Sequence, residues 1–183
     1  IGASKVFLVS DEGVIKAGWA EKARHYLQAA GLETEVFSSL TTNPKDFEVT
    51  EGAQRYLASG CDALVAVGGG SPTDVAKAIA ILASNGGRLQ DYEGINKIVH
   101  PLPPMVIVPS TAGAGSEVSQ FTIIVDTVRK LKMSIISKSL VPDIAIVDPE
   151  LLQTKDSLLA AATGLDALTH GIESYVSLAA TPL

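Results

Sequence analysis

Asp166 and His170 stand four residues apart in the stretch Gly164-Leu165-Asp166-Ala167-Leu168-Thr169-His170-Gly171-Ile172-Glu173. On a helix, positions i and i+4 share one face and lie about 6 Å apart along the axis. A carboxylate oxygen and an imidazole nitrogen so placed can converge on one divalent cation. This mixed pair of hard and borderline donors suits Fe(II), Zn(II) or Mn(II), whereas Ca(II) wants oxygens only. Two protein ligands do not close a site. The pair reads as half of a metal centre whose other donors lie elsewhere.

A second kind of chemistry is written in the loops. Val67-Gly68-Gly69-Gly70-Ser71-Pro72-Thr73-Asp74 follows an apolar strand pattern and opens a helical one. Glycines let a backbone approach a bulky anion closely. Ser71 as N-cap, Pro72 at the first helical position and Asp74 at the third are the expected helix start. Free N–H groups and the positive end of the helix dipole would then face the loop's occupant, which favours a diphosphate. A tight strand-to-helix turn is the plainer alternative, but it does not call for three glycines. Pro109-Ser110-Thr111-Ala112-Gly113-Ala114-Gly115-Ser116-Glu117 is a second small-residue loop after a strand. Its hydroxyls and amides can clasp a ribose or phosphate across the same crevice, or it is a flexible loop that wants small residues. Neither loop has the Gly-x-Gly-x-x-Gly spacing or the Lys-Ser/Thr ending of the standard nucleotide fingerprints. Asp11 closes the first strand, where an acid can accept from a ribose and repel a 2′-phosphate; a capping or turn aspartate reads equally well.

The elements that must position these groups alternate between strand and helix. Strands are expected at Lys5 to Val9, Thr34 to Phe37, Ala63 to Val67, Met105 to Val108 and Ile144 to Val147, several of them near-continuous apolar runs of the kind covered on both faces. Helices are expected from Ala17 to Ala29 with Gly31 as stop, around Gln54 to Ala58 ending near Gly60, and from Pro72 to Ala83 before Asn85-Gly86-Gly87. This rhythm implies an α/β fold with a doubly wound, mostly parallel sheet. Phe121 to Val125 and Met133 to Ile136 form a β-ribbon excursion around the turn Asp126 to Lys130, and Ala160 to Val176 is helical. A boundary near Pro149 divides an α/β domain, 1–149, from the beginning of a helical one, 150–183.

Bulk composition narrows the function classes. Among 183 residues, 46% are hydrophobic and 19% charged, which marks a well-buried globular chain. The net charge of −6 argues against nucleic acid or an anionic membrane as partner. No apolar run reaches the ~18 residues of a membrane span, and a single cysteine, Cys61, points to a reducing, cytoplasmic setting. No serine or cysteine stands with a partnered base, so covalent catalysis is not expected.

With these residues in hand, the chain resembles the group III, iron-containing alcohol dehydrogenases over nearly all of its length. The marks are Gly68-Gly69-Gly70-Ser71 with Asp74 and Lys77, the Pro109 to Glu117 loop, Pro142-Asp143 before Asp148-Pro149, and Asp166 to His170 followed by Glu173. The resemblance implies a nucleotide-binding α/β domain and an all-helical domain, of dehydroquinate synthase-like architecture, with the active site between them. It implies Asp166 and His170 as the first two metal ligands and Gly69, Gly70 and Ser71 as the pyrophosphate loop. Ser110 and Thr111 fall at a cofactor-side pair, usually two threonines, and Ser119 and Lys132 near the nicotinamide. Asp11 falls at the acid associated with NAD over NADP, and Asn43 at the asparagine of an Asn-Pro pair near the adenosine side. Ser110 and Ala114 stand where threonines are usual, and Ser38 where many members have aspartate.

The implied reaction is reversible hydride transfer between a primary alcohol or aldehyde and NAD, with Fe(II), or alternatively Zn(II), as Lewis acid. The family's remaining ligands are histidines, and neither His25 nor His100 has a ligand-like setting. Two further donors are therefore expected outside residues 1–183, in a full-length protein expected to be a homo-oligomer. Two other readings stand beside it: a zinc-dependent polyol dehydrogenase or dehydroquinate-synthase-like enzyme, and a nucleotide-binding fragment without turnover. An apolar face around Leu165, Leu168, Ile172 and Tyr175 is expected to lie uncovered.

Overall fold

The computed structural model describes residues 2–180. The apolar runs become the parallel strands β1 (Lys5–Val9), β2 (Glu33–Phe37), β3 (Ala63–Gly68), β5 (Met105–Pro109) and the two-residue β8 (Ile144–Ala145). They pair in the order β2-β1-β3-β5-β8. The chain therefore steps from β1 outward to β2 and then returns to the other side of β1. This reversal between β1 and β3 is the topological switch point, beside which open α/β sheets take their ligands.

Alternation along each strand builds two layers. Phe7 and Val9 point to one face and pack with Phe37, Leu64, Ala66 and Ile79. That face is covered by α3 (Asp46–Ser59) and α4 (Gly70–Asn85). Phe7 stacks on Phe37 at 5.9 Å and meets Tyr56 edge-on at 5.5 Å. Val6 and Leu8 point the other way, toward Val14 and Ala20. These belong to a short α1 (Glu12–Lys16) and to α2 (Trp19–Ala29).

Local departures from expectation have local causes. The helix expected from Ala17 starts at Trp19, because Gly18 at φ +84° stands before it, and the short α1 that precedes it was not expected. The strand expected to reach Val147 is regular only through Ala145, with one further bond from Ile146 N to Ile107 O at 2.8 Å, as the outermost strand of its sheet. Coverage of both faces holds for β1 but not for β5. Val106 and Val108 are half-buried and line an apolar groove of about 380 Å³ with Trp19, Tyr26 and Leu27.

The ribbon is β6 (Phe121–Asp126) antiparallel to β7 (Leu131–Ile136), with a two-residue β4 (Gly94–Ile95) added parallel to β7. After a 3-10 turn at Pro149–Leu152, Asp156 caps α5 (Ser157–Val176) by accepting from the Leu159 amide. No residue of α5 is buried, so Leu165, Leu168, Ile172 and Tyr175 are exposed, as the sequence leads one to expect. Among the described residues, no helix is long and apolar enough to cross a membrane.

Candidate cofactor and metal site

The glycine turn lies at the carboxyl end of β3, on the switch point. Helix α4 starts at Gly70, two residues earlier than expected, with Gly69 as N-cap and no side-chain cap. Ser71 is thus a first-turn residue and not the N-cap, and Asp74 sits past the first turn. Proline at the third position does no harm there, since that N–H has no intrahelical partner anyway. The amides of Gly70 and Ser71 head the helix, and Thr73 ties it down by donating its hydroxyl to Gly69 O at 3.0 Å. Gly68 is required by close packing. A Cβ there would lie 2.5 Å from Cγ of Pro72.

A cleft of about 690 Å³ opens in front of this helix start. Gly70 and Ser71 form one wall. Ser116 and Ser119, from the segment leading into β6, face them together with Phe121, Ile123 and Val125 on the ribbon. Lys132 of β7 reaches the same space, and Asn43 with Pro44 closes one end, where Pro44 O accepts from the Val125 amide at 2.8 Å. Asp166 and His170 border the cleft from α5. Oδ1 of Asp166 is 3.7 Å from Nε2 of His170. Metal–ligand bonds of about 2.0–2.2 Å to each atom fit that separation. The donor set suits iron or zinc but is incomplete: among the described residues, no group of three or more His, Cys, Asp or Glu side chains can hold a metal ion. His25 and His100 are exposed.

Asp11, Ser110 and Thr111 are not among the residues lining this cleft and pack beside the glycine turn. Asp11 caps α1 by accepting from the Val14 amide at 2.9 Å, while its second carboxylate oxygen faces Gly68. The capping alternative is thus realised beside the turn. Ser110 is fully buried; its amide donates to Gly68 O at 2.8 Å, and its hydroxyl accepts from Lys155 at 3.2 Å. Thr111 packs on Gly69, whose added Cβ would meet its hydroxyl at 3.0 Å. All three therefore contact Gly68 or Gly69 of the turn.

Lys77 is the residue whose part sequence reasoning left unassigned. It is fully buried and donates to the carbonyls of Ser116, Ser119 and Phe121 at 2.7, 2.7 and 2.9 Å. A lysine in an otherwise apolar helical run, Val75 to Leu82, was the available signal. Burial pushes the Asp74 carboxyl up to about 7, against the pull of Lys77 and of hydrogen bonds from Ile123 and Ser116. Burial likewise brings Lys77 down to about 8, with Asp74 and Glu117 acting in the opposite sense. Folded Asp74 therefore keeps a proton that the unfolded chain releases. Stability is expected to fall as pH rises from the usual carboxylate range toward 7. Asp74→Asn is expected to flatten that decline, read as thermal midpoint against pH on the ligand-free protein. An unchanged slope would show that Asp74 is not its source.

The sequence profile described as Iron-containing alcohol dehydrogenase matches residues 1–149. The NAD-dependent methanol dehydrogenase of Bacillus methanolicus is 44% identical over 183 residues, covering 100% of this chain and 48% of that protein. The crystal structure of a 1,3-propanediol oxidoreductase superposes with a TM-score of 0.96 at 44% identity, over 99% of this chain and 47% of the other. A sulfoacetaldehyde reductase from Bifidobacterium kashiwanohense, solved in complex with NAD+, superposes at 0.88 with 31% identity, over 99% and 48%. The chain spans about half the length of the relatives it matches. With a glycine turn at the switch point and a paired aspartate and histidine across the cleft, it belongs to the iron-containing alcohol dehydrogenase family.

Proposed function

We propose that this chain is the cofactor-binding part of an NAD-dependent, iron-dependent alcohol dehydrogenase that interconverts a small primary alcohol and its aldehyde. One observation carries the reading: a single cleft joins the glycine-headed helix to Asp166 and His170. Residues 1–149 would form the dinucleotide-binding domain and 150–183 the start of the metal-binding one. The amides of Gly70 and Ser71, at the positive end of α4, receive the diphosphate. Ser119 and Lys132 flank the nicotinamide end, and Asn43 the adenosine side. Asp11, beside Gly68, disfavours a 2′-phosphate and so selects NAD over NADP. The apolar wall of Phe121, Ile123 and Val125 gives an uncharged ring or a short alkyl chain a dry surface.

Asp166 and His170 would hold Fe(II), which the family match favours over Zn(II). When bound, the metal supplies Lewis acidity toward the alcohol oxygen. The chain's own contribution is alignment: the two walls fix the cofactor, and α5 brings the two donors to the same space. Support for the substrate class comes from the matched relatives, named for methanol and 1,3-propanediol.

The test is a titration with NADH, followed by fluorescence, on residues 1–183 and on the full-length protein, with an alcohol panel on both. Binding by both, with alcohol oxidation only in the full-length protein loaded with iron, is expected, because a two-ligand site holds metal weakly. Absence of NADH binding by the full-length protein would overturn the reading.

A further inference from the structure

We propose that Lys77 is a positioning residue for dinucleotide binding: its ammonium fixes the segment 116–121, so that both walls of the cleft are carried by one helix. The inference rests on the dinucleotide reading above and assigns a role to a side chain that never reaches the cleft.

An ammonium has three donors and no acceptor. Lys77 directs all three onto main-chain carbonyls of one short segment, those of Ser116, Ser119 and Phe121. None is left for a ligand. A buried charge is costly unless fully satisfied, and an apolar side chain would fill the same interior without that cost. What the apolar side chain cannot do is bind carbonyls. Residues 110–120 form neither helix nor strand, and one backbone turn bond, Val118 N to Gly115 O, joins two of them. Their geometry must be imposed from outside.

Asp74, one turn earlier on α4, holds the continuation of the same segment. Its carbonyl accepts from the Thr122 hydroxyl at 2.8 Å, and its side-chain oxygens accept from the Ile123 amide at 3.3 Å and the Ser116 hydroxyl at 3.4 Å. Helix α4 thus grips residues 116–123 through two side chains, and the same helix opens with Gly70 and Ser71. At 1.5 Å per residue, Lys77 stands about 10 Å along the axis from Gly70. The rigid helix sets the distance between the diphosphate end and the Ser119–Phe121 wall. Removing the ammonium leaves three carbonyls without their donor and lets that wall drift while the sheet stays intact.

Lys77→Met keeps the unbranched apolar stem and deletes the charge. In the full-length protein, its KM for NAD is expected to rise about tenfold or more, with kcat at saturating NAD changed less than about threefold. Amide hydrogen exchange of the ligand-free variant is expected to accelerate within 113–121 and to leave β1 and β3 protected. Lys77→Arg, which keeps the charge but presents a planar fork, is expected to weaken NAD by an intermediate factor and serves alone if the methionine variant does not fold. A KM for NAD within about twofold of wild type, with unaltered exchange in 113–121, would overturn the proposal for whichever variant folds. If the wild-type protein binds no NADH at all, the dinucleotide reading fails by itself. The exchange comparison then still decides whether Lys77 fixes the segment.

Discussion

Replacing His170 by alanine in the full-length protein is expected to abolish iron retention and to lower alcohol oxidation about 100-fold or more, given that even the outer partners of metal ligands cost 10–100-fold. The expectation comes from contrast in environment. The side chains of His170 and Asp166 are 55% and 49% exposed, and they touch each other across 3.7 Å. No residue of α5 is buried. Within residues 1–183, substitutions at so open a position shift stability by only about 0.5 kcal/mol. An unchanged thermal midpoint of metal-free residues 1–183 carrying the same substitution therefore assigns the loss of activity to the cation and not to the fold. NADH affinity measured on the same preparation is expected to stay within about twofold, because the glycine turn belongs to β3 and α4. Asp166→Ala is expected to behave alike. Iron content and turnover equal to wild type in either variant would remove the pair from the metal centre.

How much of this was legible in the sequence depends on how local the cause is. The strands β1, β3 and β5 read correctly to within one residue, because buried parallel strands are written as continuous runs of Val, Leu, Ile and Ala. The ribbon β6–β7 read from its polar turn, although β7 starts at Leu131, two residues before the expected Met133. The helix start at the glycine turn did not. Ser71-Pro72 looks like a cap followed by a first residue, yet the helix begins on the glycines themselves, since Thr73 anchors Gly69 through both its amide and its hydroxyl. Asp11 was legible as an acid at the end of β1, but its capping of α1 depends on a five-residue helix too short to show periodicity. The partners of Lys77 lie 39 to 44 residues away, so its burial could be suspected from its apolar neighbours and its function could not. The pairing of Asp166 with His170 is an i, i+4 relation and was therefore readable. Their meeting with the glycine turn depends on how α5 returns over the Pro109–Glu117 loop, which is tertiary.

That return includes one close contact with a testable consequence. A Cβ placed on Gly113 would lie 2.6 Å from the carbonyl oxygen of Thr163 and 3.2 Å from Oδ2 of Asp166. The first partner is helix backbone, which cannot swing aside as the tip of a side chain would. Gly113→Ala must therefore displace either α5 or the loop. Within residues 1–183 no residue of α5 is buried, so there the helix is the weaker member, and the sheet beneath should hold. Overpacking of this kind commonly costs 1–3 kcal/mol, and about 1.4 kcal/mol is a factor of ten in an equilibrium. Gly113→Ala in the full-length protein is accordingly expected to weaken iron binding and kcat/KM for the alcohol by about tenfold or more. NADH affinity, which the proposed function sets at Gly70 and Ser71, should fall much less. Iron titration, turnover and NADH fluorescence on one preparation separate these effects. If Gly113→Ala holds iron and oxidises alcohol as wild type does, the approach of α5 to the loop is not what brings Asp166 and His170 to the cofactor. A larger loss of NADH binding than of iron binding would instead place the displacement in the loop, and the glycine would then serve the nucleotide rather than the metal.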